Sequence, residues 1–276
     1  MNGYLSEIVT AHRARAAADG RDVAGLLERA RAMPQPRPFA SRVRERAATG
    51  LAVVAEVKRR SPSKGDLAPA LDPAALAAEY EAGGATCVSV LTDERYFGGS
   101  ADDLAAARQA VSLPVLHKDF VVCEADVCDA RLMGADALLL IVAALRGDEL
   151  RSLHALAVEL AMDVLVEVHD DDELDVALLV GATLVGVNRR DLRTFSVKPD
   201  RADRLVAAIP PEVVAIAESG VSTVADAAHL AAVGFDGVLV GECLVRAGSP
   251  RAAVGELVGH PVGERRQPLP GPERVS

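Results

Sequence analysis

Eight short apolar runs, each followed by an Ala-rich segment of helical period, constrain this chain more than any other feature. The runs lie near residues 51–57, 87–91, 115–118, 137–142, 164–168, 184–188, 213–217 and 237–240. Helical segments are predicted at 73–82, 101–111, 124–133, 148–160, 170–180, 200–209, 223–232 and 250–258. Within each run the apolar residues are consecutive rather than alternate, the pattern of strands buried on both faces. Caps and stops mark the helical segments. Asp72-Pro73, Ser100 and Ser222-Thr223 stand at starts, and Gly83-Gly84, Gly134, Gly181 and Gly234 stand at ends. Eight strand–helix units in about 210 residues predict a closed (β/α)8 barrel. An open doubly wound sheet is the alternative. It would carry a Gly-rich loop after its first strand, where this chain has Glu56-Val57-Lys58-Arg59-Arg60-Ser61-Pro62.

The barrel and what precedes it are read as one domain over 1–260. Residues 1–50 form a helical extension with helices at 4–18 and 23–33, the second closed by Pro34, Pro36 and Pro38. This extension is expected to cover the barrel or its mouth. The Pro-, Arg- and Glu-rich end, 261–276, is expected to be disordered.

Composition excludes several classes of function. The chain has 40 acidic and 30 basic residues, a formal charge of −10, and no basic run with which to grip nucleic acid. No apolar stretch reaches the ~18 residues of a membrane span. The start shows no basic segment followed by an apolar run, so a cytoplasmic location is expected. Cys87, Cys123, Cys128 and Cys243 form no CxxC pair. Reduced thiols and no metal site are expected, because no His or further Cys stands near Cys123 and Cys128 to complete one.

Only four of the 30 basic residues are lysines: Lys58, Lys64, Lys118 and Lys198. Arg stays protonated in practice, whereas Lys can donate and regain a proton. Three of the four, Lys58, Lys64 and Lys118, lie on or just after predicted strands. In a barrel of this type the chemistry sits at the carboxyl ends of the strands. Those ends carry Glu56 and Lys58; Thr92, Asp93 and Phe97; Lys118 and Phe120; Glu167; Asn188 and Arg190; Glu218 and Ser219; Gly241 and Glu242. Side chains alternate along a strand. Lys118 shares parity with Leu116, Glu167 with Leu165 and Glu218 with Ile216, so each charge caps a column of inward apolar residues. Buried charges gathered at one mouth are costly unless they pair or do chemistry. A salt-bridged rim is the plain alternative, but such a rim could use the Arg that this chain favours.

The last two turns add an anion signal. Glu218-Ser219-Gly220 follows the seventh run and Gly241-Glu242 the eighth. Small residues there let backbone N–H groups close around a phosphate, helped by the positive end of the next helix.

Seven segments in order resemble the indole-3-glycerol phosphate synthase family over residues 4–258. They are AEVKRRSPSKG at 55–65, SVLTDERYFGGS at 89–100, PVLHKDF at 114–120, LVEVH at 165–169, GVNRRDL at 186–192, AESGV at 217–221 and VGE at 240–242. The resemblance implies a cofactor-free carboxy-lyase of tryptophan biosynthesis. It would close the pyrrole ring of 1-(2-carboxyphenylamino)-1-deoxyribulose 5-phosphate and release carbon dioxide and water. It further implies that Lys118 is the general acid of ring closure, Glu167 the general base and Lys58 the second lysine. Glu56 and Glu218 would position lysines and substrate hydroxyls, with Asn188 and Arg190 near the substrate carboxylate. Ser219, Gly220, Gly241 and Glu242 would hold phosphate. Ser61, Pro62, Phe97, Phe120 and Leu192 would contact substrate, the last four against its aromatic ring. The expected partner is a small phosphorylated molecule, with no nucleic acid or membrane, and the chain is expected to be a monomer or weak homo-oligomer.

Two departures from the family pattern stand out. His117 occupies a position where Arg is common, and alternation turns it away from the mouth. Segment 121–130 lacks the usual Tyr-Gln-like helix start. His169, two residues after Glu167, is read as a supporting or capping group. The rival readings are a Schiff-base aldolase using Lys118, a non-catalytic phosphosugar-binding barrel, and a paralogue serving a specialised indole pathway.

Overall fold

The computed structural model describes residues 4–62, 64–190 and 199–265. Among these, eight parallel strands close into a barrel: β1 (Ala52–Val57), β2 (Cys87–Leu91), β3 (Val115–Lys118), β4 (Ala137–Ile141), β5 (Asp163–Val168), β6 (Leu184–Asn188), β7 (Val214–Glu218) and β8 (Gly237–Val240). Closure comes from β8 pairing with β1, with Ala52 opposite Gly237 and Ala55 opposite Val240. The strands are followed in turn by α4 (Pro73–Ala82), α5 (Ala101–Ala110), α6 (Glu124–Leu132), α7 (Gly147–Glu159), α8 (Asp171–Leu179), α9 (Pro199–Ala208), α10 (Val224–Ala232) and α11 (Pro250–Leu257). The (β/α)8 barrel read from the sequence is the observed architecture.

Alternation sorts the strand residues into two apolar clusters. Val54, Leu116, Leu139, Leu165, Ile216 and Leu239 pack inside the barrel. Val53, Val88, Val115, Leu138, Val166 and Val238 face outward against the helices. Aliphatic side chains from neighbouring strands therefore fill the interior, in keeping with an aromatic content of 3%.

Three helices precede the barrel: α1 (Tyr4–Ala18), α2 (Val23–Arg31) and α3 (Phe39–Ala47). The first lies across the carboxyl end of the strands. Its Arg13 makes two hydrogen bonds to Glu149, at 2.9 and 2.6 Å, and its His12 Nε2 lies 2.9 Å from Asp93 Oδ2. The third closes the opposite end, where Phe39 and Val43 are fully buried in the interior cluster. The extension thus closes both ends, and the sequence reading found neither α3 nor the bottom plug. The three prolines end α2, but Pro38 is also the N-cap residue of the next helix. Proline has no side-chain acceptor to offer there. Asp163, at the start of β5, supplies it, accepting from Phe39 N at 2.8 Å and Ala40 N at 2.9 Å. A cap 124 positions away leaves no local signal.

Two further segments shape the ends of the barrel. After β1 the chain makes a small hairpin pairing Arg60 with Asp66, and Arg60 donates to the carbonyls of Glu94 and Arg95. Residues 261–265, expected from composition to be unstructured, lie against the bottom of the barrel. Arg265 donates to Val213 O at 2.7 Å and Pro210 O at 2.8 Å and pairs with Asp236. The remainder of that tail, 266–276, lies outside the described residues.

Candidate active site

The interior columns end in polar groups at the carboxyl end. Glu56 stands above Val54, Lys118 above Leu116, Glu167 above Leu165 and Glu218 above Ile216, as alternation requires. With Lys58 and Asn188 they line a single cavity of about 570 Å³. Ser61, Pro62, Phe97, Phe120 and Arg190 line the same cavity, as do Ser219, Gly220, Gly241 and Glu242. Every expected site residue that is described therefore meets the others in one place. Leu192 lies outside the described residues.

Lys118 Nζ lies 3.0 Å from Glu218 Oε2 and 3.7 Å from Glu167 Oε2. Lys58 Nζ lies 2.5 Å from Glu56 Oε1. Asn188 Nδ2 donates to Glu167 Oε1 at 3.0 Å, and Asn188 Oδ1 accepts from Arg190 N at 3.0 Å. The Arg190 amide fixes which way the Asn188 side chain points, and so which group it offers to Glu167.

Three carboxyl groups, on Glu56, Glu167 and Glu218, share this floor with two ammonium groups. Burial pushes the Glu56 carboxyl up, but Lys58 and Lys118 outweigh it and hold it below the usual range. Burial alone would lower the Lys118 pKa; Glu218, Glu167 and Glu56 reverse this and raise it above the ordinary lysine value. The Glu218 carboxyl is pushed up to about 7 by burial and by Glu167 and Glu56, with Lys118 opposing. The crowding of carboxylates thus falls hardest on Glu218, whose carboxyl gains affinity for a proton.

Two glycines make room for these carboxylates. A Cβ on Gly241 would lie 2.4 Å from Glu56 Oε1, and one on Gly186 would lie 2.1 Å from Glu218 Oε1. Gly241 therefore makes room for the Glu56 carboxylate.

The turns after β7 and β8 differ in a way that the sequence does not reveal. Ser219 and Gly220 adopt successive left-handed conformations, φ 65° and 76°, a strained one for Ser219. The start of α10 is closed by a capping box: Thr223 Oγ1 accepts from Asp226 N at 3.1 Å, and the Asp226 carboxylate accepts from Ser222 N and Thr223 N, both at 2.9 Å. The Ser219–Gly220 turn and the start of the short helix Glu242–Val245 both line the cavity.

Phe97 and Phe120 lie with ring centroids 6.3 Å apart and form an apolar wall. The sequence reading missed Tyr4, Leu5 and Ile8 of α1, together with Arg246, all of which line the cavity. Lys64, singled out there only by its residue type, lines it as well. For α1 the one available signal was an apolar i, i+1, i+4 stripe, which any packed helix can show.

Outside the cavity, His117 is buried behind the barrel wall with Nε2 2.9 Å from Thr92 Oγ1, the direction that alternation predicts. Segment 121–130 builds its helix start with Asp126, which accepts from Val122 N at 2.9 Å and Cys123 N at 3.2 Å. Among the described residues, potential metal ligands come together at His12, Asp93 and Asp119. Their atoms already have work. Asp93 accepts from Tyr96 N, Asp119 from Thr92 Oγ1 and Phe120 N, and the His12 ring lies between Asp93 and Arg15. This trio is a latch between α1 and the mouth.

The family model described as indole-3-glycerol phosphate synthase matches residues 5–257. The chain belongs to the indole-3-glycerol phosphate synthase family. It is 50% identical over 254 residues to the indole-3-glycerol phosphate synthase of Mycolicibacterium gilvum, covering 92% of this chain and 93% of that one. It is 53% identical over 239 residues to indole-3-glycerol phosphate synthase 2 of Streptomyces coelicolor, covering 87% and 92%. A thiamine phosphate pyrophosphorylase structure from Pyrococcus furiosus shares the fold alone, with TM-score 0.56 and 17% identity over 75% of this chain and 93% of that one. No described helix of this family member is long and apolar enough to cross a membrane.

Proposed function

We propose that this mouth carries out the family reaction, converting 1-(2-carboxyphenylamino)-1-deoxyribulose 5-phosphate to indole-3-glycerol phosphate, carbon dioxide and water. The observation that carries the assignment of roles is the Lys118 ammonium, held between Glu218 and Glu167 at the floor of the cavity. In ring closure the aromatic carbon bearing the carboxylate attacks the substrate ketone. Lys118 gives its proton to the ketone oxygen as the new carbon–carbon bond forms. Carbon dioxide then leaves and the ring regains aromaticity. Loss of water from the resulting alcohol needs an acid at the departing hydroxyl and a base for the departing proton. Lys58 and Glu167 fill those roles from β1 and β5, facing each other across the mouth.

The remaining roles follow from position. Glu56 holds Lys58, and Glu218 holds Lys118. Asn188 and Arg190 serve the anthranilate carboxylate. Phe97, Phe120 and Pro62 flank the ring, with Ser61 beside them. Ser219, Gly220, Gly241 and Glu242 receive the phosphate through backbone N–H groups. A Schiff-base aldolase needs a neutral amine, and the carboxylates around Lys118 oppose that state. Four free thiols support a reducing, cytoplasmic setting.

Incubation with the carboxyphenylamino-deoxyribulose phosphate, followed by indole fluorescence, tests the reaction, and no product would overturn it. Rapid quench tests the roles. Lys118→Ala should stall before carbon dioxide is released, whereas Glu167→Gln should release it in one turnover without forming indole. Parallel loss of both products in both variants would refute this division of labour.

A further inference from the structure

His169 stands two residues beyond Glu167, on the turn into α8, and side-chain alternation brings it back toward the mouth. Its backbone N donates to Glu173 Oε2 at 2.8 Å, and its Nδ1 lies 2.9 Å from the same oxygen. An ionised carboxylate only accepts, so Nδ1 carries a proton. In the neutral ring Nε2 would then be a bare lone pair. That atom is buried, makes no hydrogen bond and lies 3.4 Å from Glu167 Oε1, an ion-pair distance. A lone pair facing a carboxylate oxygen is repulsive, and a proton between the two atoms removes the conflict.

We propose that His169 is a positioning residue for Glu167: Glu173 locks its tautomer, and one proton held between Nε2 and Oε1 leaves Oε2 facing Lys118. This rests on the reading of Glu167 as the base. The charged groups around the imidazole agree with it. Glu167 lies on its own strand, Glu173 on α8 and Glu218 on β7. Burial lowers the His169 pKa, but these three carboxylates outweigh it and raise it above the ordinary histidine value. Asn188 and His169 together occupy Oε1, from β6 and from the turn after β5. Proton abstraction is thereby assigned to one oxygen of two, the one 3.7 Å from Lys118 Nζ.

Two measurements test the proposal separately from the overall reaction. The first follows the His169 imidazole nitrogens by NMR through a pH titration of wild type and Glu167→Gln. The signals should show Nδ1 protonated throughout, and the midpoint should fall by about one unit in the variant, which has lost the facing carboxylate. An unchanged midpoint would overturn the pair, whether or not Glu167 is the base. The second compares kcat against pH for wild type and His169→Asn, which can keep the bond to Glu173 and places no donor at Glu167. The acid limb should move to higher pH, with kcat reduced about tenfold and KM little changed. His169→Gln, whose amide reaches toward the Nε2 position, should recover part of kcat. Uniform loss with an unmoved acid limb in His169→Asn would make the residue structural and refute the proposal. Should Glu167→Gln retain full turnover while the imidazole midpoint still falls, the base assignment fails and the pair stands.

Discussion

At the bottom of the barrel, Phe39 and Val43 of α3 plug an interior lined by Ala52, Val54, Cys87 and Leu116. At the top, the same interior columns end in Glu56, Lys118, Glu167 and Glu218, and α1 lies above them. The two helices belong to one extension, and they attach by different physics. The Phe39 and Val43 side chains are fully buried among apolar groups, and only the backbone start of α3 needs a directed partner, Asp163. By contrast α1 adds directed polar contacts, those of Arg13 with Glu149 and His12 with Asp93, to the packing of Tyr4 on Tyr96 and the burial of Ile8, and it lines the cavity with Tyr4, Leu5 and Ile8. Stability is therefore concentrated at the end without chemistry. The end with chemistry carries buried charges and a left-handed Ser219, features that cost stability and are retained for what they do.

The largest expected effect tests the bottom. Phe39→Ala removes a fully buried ring and leaves a cavity, at a cost of about 3–5 kcal/mol of folding stability. Turnover per folded molecule should stay near wild type, measured below the lowered melting transition. A fall in kcat to match the loss of stability would break the separation of the two ends.

Lys118→Arg tests the top from the opposite direction. It keeps a cation between Glu218 and Glu167 but removes an effective proton donor. Turnover should fall ~10²-fold or more, equivalent to about 2.7 kcal/mol of barrier, with the melting temperature nearly unchanged. Turnover like that of wild type would sink the assignment of the acid.

A subtler effect should appear in how stability varies with pH. The Glu218 carboxyl is raised in the fold from 4.5 to about 7. In that window the folded state binds the proton more tightly than the unfolded chain. This group's contribution is thus complete below about 4.5 and is lost as pH rises through about 7. Glu218→Gln should remove that slope, so its stability relative to wild type should improve between pH 5 and pH 8. Parallel curves for the two proteins would show that Glu218 does not hold the extra proton.

The same contrast explains what could be read from the sequence. Period-2 alternation fixed the inward parity of Glu56, Lys118, Glu167 and Glu218, because one-residue steps along a strand leave no other choice. Strand ends announced the mouth, and a scarcity of Lys pointed to Lys58 and Lys118. What stayed hidden depends on partners distant in sequence. The helix α3 takes its cap from Asp163, and α1 takes its place from Asp93, Asp126 and Glu149. The capping of α10 by Asp226 was local and could have been read from Ser222-Thr223-Val224-Ala225-Asp226, a Thr with a carboxylate three residues on. The sequence marks Ser222-Thr223 as the cap, and the Asp226 carboxylate completes it.

The smallest effect probes α1 itself. Arg13 reaches Glu149 with two hydrogen bonds and donates to Ala144 O at 3.2 Å, tying the helix to the turn after β4. Its side chain is 39% exposed, so solvent screens the pair and Arg13→Ala should cost only about 0.5 kcal/mol of stability. The functional consequence should differ in kind from that of Phe39→Ala. Tyr4, Leu5 and Ile8 are on the same helix and form part of the cavity wall, whereas no proposed proton donor or base lies on it. A looser α1 should therefore raise KM about twofold and leave kcat unchanged, the signature of lost uniform binding. Steady-state kinetics with the phosphorylated substrate would decide it. A fall in kcat at constant KM would mean that α1 reaches the chemistry itself, and the top could no longer be divided into a charged floor that reacts and a helical wall that binds.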